Sequence, residues 1–217
     1  MAQQAAVSLE VLRDRIRELE GAPVHTQRVS TGIGVFDDLV GGLPQPGLVE
    51  IHGPPGSGRT RLALALIERF TAEGRLVAWV DLDCTLYPPA AGDLEVVLRR
   101  LLVVRPTQAT PAERRPLKSD TERAVWATEQ LLRCGCFPLV VVSGAVRLGR
   151  VGQRWVHAAE AGGGTCLVIG EHASRGIPAV VRLAVGRGEV VVVRNRGGRT
   201  GRAAVLPPWT ERNDPWR

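Results

Sequence analysis

The sequence predicts an α/β fold: a mainly parallel sheet flanked by helices and finished by a C-terminal β-rich hairpin. Three features predict it. A glycine-rich stretch, Gly53-Pro54-Pro55-Gly56-Ser57-Gly58-Arg59-Thr60, lies between the apolar run Leu48-Val49-Glu50-Ile51 and the helical run Arg61-Leu62-Ala63-Leu64-Ala65-Leu66-Ile67. Apolar strand-like runs then alternate with helical segments up to residue 170, the order that yields a parallel sheet covered on both faces. Residues 179–206 read as β-rich, with Gly186-Arg187-Gly188 turning one hairpin and Gly197-Gly198-Arg199-Thr200-Gly201 forming a longer loop.

The glycine-rich stretch has the spacing of a P-loop, G-x-x-x-x-G-K-[ST], in which backbone N–H groups wrap phosphate at a helix N-terminus. One position departs from it: Arg59 stands where the lysine belongs. Lysine is a compact point charge, whereas arginine is planar, bulkier and prefers bidentate contacts, so the exchange is not conservative. Lys118 is the only lysine in the chain, so compositional drift toward arginine accounts for the change equally well, without restoring the geometry.

A chain of 217 residues makes one domain with room for a terminal arm. The formal net charge is +6, almost all of it arginine. Such a surface favours an acidic partner, nucleic acid first, or is simply a solvated arginine-rich face. Cys84, Cys134, Cys136 and Cys166 lie in or beside apolar segments, and their spacing suggests no zinc site. They are expected to be reduced core residues of a cytoplasmic protein. No apolar run approaches membrane-spanning length.

Along the chain, residues 8–20 read as a helix capped by Ser8 and stopped by Gly21 and Pro23. Leu9, Leu12, Ile16 and Leu19 form one narrow stripe on it, with Arg13 among the charged residues around them. A stripe that narrow suits docking to a partner or a neighbouring copy, the alternative being a fold-back onto its own domain. The expected organisation is a docking helix in residues 1–22, a core in 23–206 and a tail in 207–217. Residues 21–31 read as a linker, followed by a short helix ending at Gly41-Gly42. Ser119-Asp120-Thr121-Glu122 is a capping box that starts a helix stopped near Gly135. Residues 148–161 read as another helix, ended by Gly162-Gly163-Gly164. The proline-rich tail carries Trp209 and Trp216, which either form a docking motif or pack on the parent domain.

Thr31-Gly32, Phe36-Asp37, Leu39, Gly41-Gly42-Leu43-Pro44, Gly47 and the P-loop together resemble the opening of a RecA-type recombinase core. Further on, Val77-Ala78-Trp79-Val80-Asp81-Leu82-Asp83 resembles the second core strand, and Tyr87-Pro88 sits where that family places residues near the adenine. Leu139-Val140-Val141-Val142-Ser143 resembles the Walker B strand, and Cys166-Leu167-Val168-Ile169-Gly170-Glu171 the next core strand. The run ending in Arg194-Asn195-Arg196 resembles a late strand with a basic-Asn-basic triplet. The resemblance covers residues 28–206 and implies a RecA-like P-loop core.

The resemblance also implies a set of ATPase positions, and four of them are altered. Arg59 takes the place of the lysine. Ser143 takes the place of the Walker B aspartate, with no charge to organise a magnesium shell. Asp83 takes the place of the catalytic glutamate, one methylene short. Glu171 takes the place of the sensor glutamine, negative where a neutral amide should face phosphate. Thr60 is retained as a magnesium-ligand position. Losing one transition-state donor typically costs about 10²–10³ in rate, so weak or absent ATP hydrolysis is expected, with ATP and magnesium bound weakly or not at all. The spans from Ser143 to Thr165 and from Glu171 to Ala179 are short where recombinases carry their long DNA-binding loops. Arg194, Arg196, Arg199 and Arg202 remain as candidate contacts to nucleic acid or to a RecA filament, or as a charged β edge.

An arginine-rich N-terminal helix, a loop-trimmed degenerate core and a short tail together resemble the ImuA family of RecA-like accessory proteins. That resemblance implies DNA repair through SOS-induced mutagenic translesion synthesis. It also implies three partners: ImuB, RecA and an error-prone polymerase complex. The competing expectations are a P-loop ATPase of the recombinase or mediator type that binds DNA, and a non-enzymatic DNA-binding module.

Overall fold

The computed structural model describes residues 26–106, 119–144, 151–174, 176–186, 188–196 and 198–205. The expected docking helix, with Leu9, Leu12, Arg13, Ile16 and Leu19, and the tail 207–217 lie outside the described residues.

The chain opens with β1 (Gln27–Val29), α1 (Gly34–Val40), β2 (Leu43–Gln45) and β3 (Gly47–His52). Then come α2 (Arg59–Ala72), β4 (Val77–Asp81), α3 (Pro88–Asp93) and β5 (Leu101–Val104). After α4 (Asp120–Arg133) follow β6 (Leu139–Ser143), α5 (Val151–Gly162) and β7 (Thr165–Gly170). The finish is β8 (Val181–Gly186), β9 (Glu189–Asn195) and β10 (Ala203–Val205). Eight of the strands form one sheet in the order β10-β9-β8-β3-β7-β6-β4-β5. Strands β3 to β8 run parallel, and β9 and β10 return antiparallel. This is the mainly parallel sheet with a C-terminal hairpin that the sequence predicts.

Strict alternation along the central strands divides the core in two. Val49 and Ile51, Val77 and Trp79, Leu139 and Val141, and Leu167 and Ile169 face α1 and α2, where they meet Phe36, Leu62, Leu66 and Phe70. Their neighbours Leu48, Ala78, Val80, Val140, Val142, Cys166 and Val168 face α4 and α5, against Leu132, Trp155 and Ala158. Period-two side chains buried on both faces are what a helix-covered parallel sheet requires. On β8 and β9 only one face joins the core, through Val181, Leu183, Val185, Val190 and Val192. Arg182 and Arg194, which are register partners, stand on the other face.

Local chemistry sets the helix ends. The Ser119 side chain accepts from the Glu122 N–H while the Glu122 carboxylate accepts from the Ser119 N–H, so the expected capping box is present at α4. Helix α1 ends at Gly41, in the left-handed region at φ 78°. Asp37 pins the entry to that helix by accepting from the backbone N–H of Thr31 and Gly32 and from the Ser30 and Thr31 hydroxyls.

Two expectations of the sequence reading are corrected, and one strand has no expectation there. The expected linker at 21–31 contains β1, which pairs antiparallel with β2, Val29 opposite Leu43. Its hold is tertiary: the Arg28 guanidinium donates to the carbonyls of Gly42 and Arg196 and to Asn195 Oδ1. Residues 101–104 form an edge strand, β5, paired with β4. Of the four cysteines expected in the core, only Cys166 is buried; Cys84, Cys134 and Cys136 are exposed, because they fall in turns and at a helix end.

Candidate nucleotide site and basic face

The phosphate loop is built as its sequence requires. It leaves the C-terminal end of β3, tied by the Gly53 N–H to the Gly170 carbonyl at 3.1 Å, and enters α2 through Gly58 at φ 95°. Gly56 and Gly58 both take positive φ, the conformation open to glycine. A side chain at Gly53 would strike the Val185 carbonyl, since an added Cβ would lie 2.0 Å from that oxygen. Pro54, Pro55, Gly56 and Thr60 are exposed. The Ser57 hydroxyl is buried and has no hydrogen-bond partner among the described residues.

Arg59 does not point away from the loop. Its Nη1 donates to the carbonyl of Gly53, the first residue of the same loop. Its Nη2 lies 3.9 Å from Glu171 Oε1. Two departures from the family pattern, the arginine and the acid, therefore meet across the mouth of the loop. The guanidinium satisfies the loop's own backbone and is held from the far side by a carboxylate. Glu171 is 55% exposed, so the pair is a solvent-screened contact rather than a deep ion pair.

Ser143, at the end of β6, is 6% exposed and fully engaged. Its Oγ accepts from the indole Nε1 of Trp79 at 2.8 Å and donates to Asp81 Oδ1 at 3.2 Å. Asp81, wholly buried, also accepts from the N–H groups of Thr85 and Leu86 and from Arg105 Nε, each at 3.1 Å. The hydroxyl thus joins a buried polar cluster that fixes the ends of β4 and β6. Asp83 is exposed just beyond β4, beside Gly144, whose added Cβ would lie 2.8 Å from its Oδ1. Tyr87 is 66% exposed at the start of α3.

A second set of charges lies on β3, β8 and β9, on the sheet face opposite Val49, Ile51 and Leu183. The Glu50 carboxylate, 1% exposed, accepts from Arg182 Nε and from the Ser174 N–H. His52 stands next on the same face of β3, its pKa lowered mainly by burial; Glu50 opposes the shift, while Arg182 and His172 reinforce it. Arg194 is also lowered, first by burial, then by Arg196 and Arg182. Arg182, Arg194 and Arg196 therefore share one field, of which Glu50 neutralises only a part.

The four arginines singled out by sequence do not act alike. Arg194 is half-buried, and Arg196 and Arg199 are exposed. Arg202 turns to α1, donating to the Asp38 carbonyl. Asn195 is buried, its side-chain oxygen held by Arg28 at 2.7 Å. Sequence reasoning missed Arg28, Glu50, Trp79, Asp81 and Arg182 as members of these clusters, because each acts through a partner on a distant strand.

Position along the strands matters most. Asn195 pairs with Val181, which pairs with Val49 of β3, while the phosphate loop starts beyond His52. The register of Asn195 and the start of the phosphate loop at Gly53 are therefore offset by ~13 Å along β3 at 3.3 Å per residue.

Comparison with known proteins places this geometry. Residues 12–149 match the RecA N-terminal domain family. The chain is 35% identical over 131 residues to Protein RecA of Caulobacter vibrioides, covering 59% of this chain and 33% of that protein. Protein RecA of Rhizobium rhizogenes is 36% identical over 128 residues, with coverages of 58% and 32%. Protein RecA of Brucella canis is 37% identical over 128 residues, again 58% and 32%. The chain spans about a third of the length of the curated relatives it matches. No helix among the described residues is long and apolar enough to cross a membrane.

Proposed function

The chain belongs to the RecA N-terminal domain family, and from that premise we propose that it is a non-catalytic accessory protein of RecA-dependent DNA repair. In this reading it serves SOS-induced mutagenic translesion synthesis, binding ImuB and RecA, modulating RecA filaments and bringing in an error-prone polymerase. One observation carries the non-catalytic part. Both side chains at the positions that would organise MgATP are engaged elsewhere, the Arg59 guanidinium on the Gly53 carbonyl and the uncharged Ser143 hydroxyl in the cluster of Trp79 and Asp81. A hydrolysis-ready magnesium shell does not fit those two side chains, and no chemical step is assigned to the loop.

The Arg194–Arg196 triplet, offset along the strands from the phosphate loop, supports a filament partner, since in the RecA-type cores that this sequence resembles such a triplet reaches the nucleotide of the adjacent subunit. The test is co-sedimentation with RecA filaments on single-stranded DNA. The full chain is expected to co-sediment, the doubly substituted R194A R196A chain and a chain lacking residues 1–22 to do so more weakly. Equal recovery of all three would remove the triplet and the docking helix from the interface.

A DNA-binding module is the second reading, favoured by the shared field of Arg182, Arg194 and Arg196. A labelled oligonucleotide titrated at two salt concentrations separates the readings. A steep loss of affinity with salt signals phosphate contacts; no binding at low salt returns these arginines to the protein interface.

A further inference from the structure

Helix α4 ends on Cys134, its C-cap, whose N–H bonds the Gln130 carbonyl. Gly135 follows in the left-handed region at φ 69°, and the chain turns through Cys136 and Phe137 into β6. The turn is fixed from below. Gly162 at the end of α5 presses on it so closely that an added Cβ would lie 1.9 Å from the Leu132 carbonyl and 3.2 Å from the Gly135 nitrogen. The backbone that carries the two cysteines is therefore set by helix packing, while both cysteines are exposed.

The thiols are not independent. Cys134 Sγ donates to the Leu131 carbonyl at 3.2 Å, and Cys136 Sγ to the Cys134 carbonyl at 3.6 Å. The Cys136 thiol is pushed up first by hydrogen bonding with the Cys134 side chain, then by the charge there. A helical-type bend at the middle residue holds its neighbours' Cα atoms within ~6 Å, a separation that a disulfide spans. Of the two remaining cysteines, Cys166 is buried and its thiol is pushed far up by burial, while Cys84 sits at the opposite, C-terminal end of the parallel strands.

We propose that Cys134 and Cys136 form a surface dithiol site that closes reversibly to a disulfide across Gly135 by exchange with a low-molecular-weight disulfide. The Cys134 thiolate attacks one sulfur of the small disulfide, forming a mixed disulfide and releasing one thiolate. The Cys136 thiolate then attacks Cys134 Sγ, forming the internal bond and releasing the second thiolate. Two electrons pass to the small disulfide, and the two cysteine protons end on its two thiol products. Closure withdraws Cys134 Sγ from the Leu131 carbonyl and so loosens the last turn of α4.

The experiment equilibrates the folded full-length chain, in a C84S background, across reduced and oxidised glutathione mixtures, then acid-quenches, alkylates and maps peptides. The expected product at the oxidising end is a monomer that has lost two hydrogens, carries no glutathione, and is linked between residues 134 and 136. C136S is expected to hold one glutathione on Cys134 instead. Cys166 unmodified throughout certifies that the fold is intact. Glutathione retained on both sulfurs of the unsubstituted pair, or a bridge only between two chains, would overturn the proposal. Native-state hydrogen exchange gives the second reading: faster exchange in the last turn of α4 after oxidation is expected, and unchanged exchange there would refute the loosening.

Discussion

Replacing Ser143 tests whether its position has become structural. Ser143→Ala removes the only described acceptor of the indole of Trp79, a residue 1% exposed in the core beneath β4. Leaving a buried N–H unpaired costs ~1–3 kcal/mol. Asp81 loses one donor but keeps Thr85, Leu86 and Arg105, so its share is small. A loss of about 2 kcal/mol lowers Tm by roughly 4–8 °C in a domain of this size. Ser143→Asp, which restores the acid of the family pattern, is expected to cost more. It sets a carboxylate against Asp81 Oδ1, now 3.2 Å from the hydroxyl, where Arg105 is the one cation paired with Asp81 among the described residues. The assay is urea unfolding followed by tryptophan fluorescence, with m-values compared to confirm a common unfolded state. An alanine variant within about 0.5 kcal/mol of the parent, or an aspartate variant as stable as the parent, would refute the structural role of the hydroxyl.

Other predictions follow from the same clusters. Glu50→Ala leaves the Arg182 guanidinium, 18% exposed, without its carboxylate and with the Ser174 carbonyl still accepting from it, and is expected to cost ~3 kcal/mol in urea unfolding; a change under half that size would mean that the Ser174 carbonyl and solvent hold Arg182 without the carboxylate. The lowered pKa of His52 means that the unfolded chain takes a proton the folded chain resists, so stability falls as pH drops below the ordinary 6.5. His52→Gln is expected to flatten that slope between pH 7 and about pH 5, and an unchanged slope would assign it elsewhere. R59K with E171Q removes both halves of the contact across the loop mouth. Calorimetry is expected to show ATP binding strengthened roughly tenfold, ~1.4 kcal/mol, with hydrolysis still at background; affinity unchanged from the parent would show that the arginine does not block the loop.

The parts of the fold legible in sequence are those written in local chemistry. The loop from Gly53 to Thr60 needs Gly56 and Gly58 for positive φ, the Ser119–Glu122 pair caps its own helix, and Gly188 turns the hairpin at φ 76°. Strand β5 was not legible, because four apolar residues fit a buried helix segment as well as an edge strand. Strand β1 has three residues and no pattern of its own; it exists because Arg28 reaches Asn195, 167 residues away. The cysteines misled because an apolar neighbourhood in sequence says nothing of which side of a turn a thiol occupies. At the site, the loss of charge at Ser143 was readable directly, but its recruitment by Trp79, 64 residues distant, was not. Likewise Arg59 and Glu171 were each visible as departures, and only the folded sheet places them face to face.

The central claim is that this P-loop scaffold has lost the charges that split ATP while keeping its shape. The most direct measurement is multiple-turnover hydrolysis of ATP with magnesium by the purified full-length chain, with RecA assayed alongside and single-stranded DNA present and absent. The account predicts turnover indistinguishable from a protein-free control under both conditions. Sustained turnover at a rate approaching RecA's, abolished by removing Arg59 or Asp83, would contradict it.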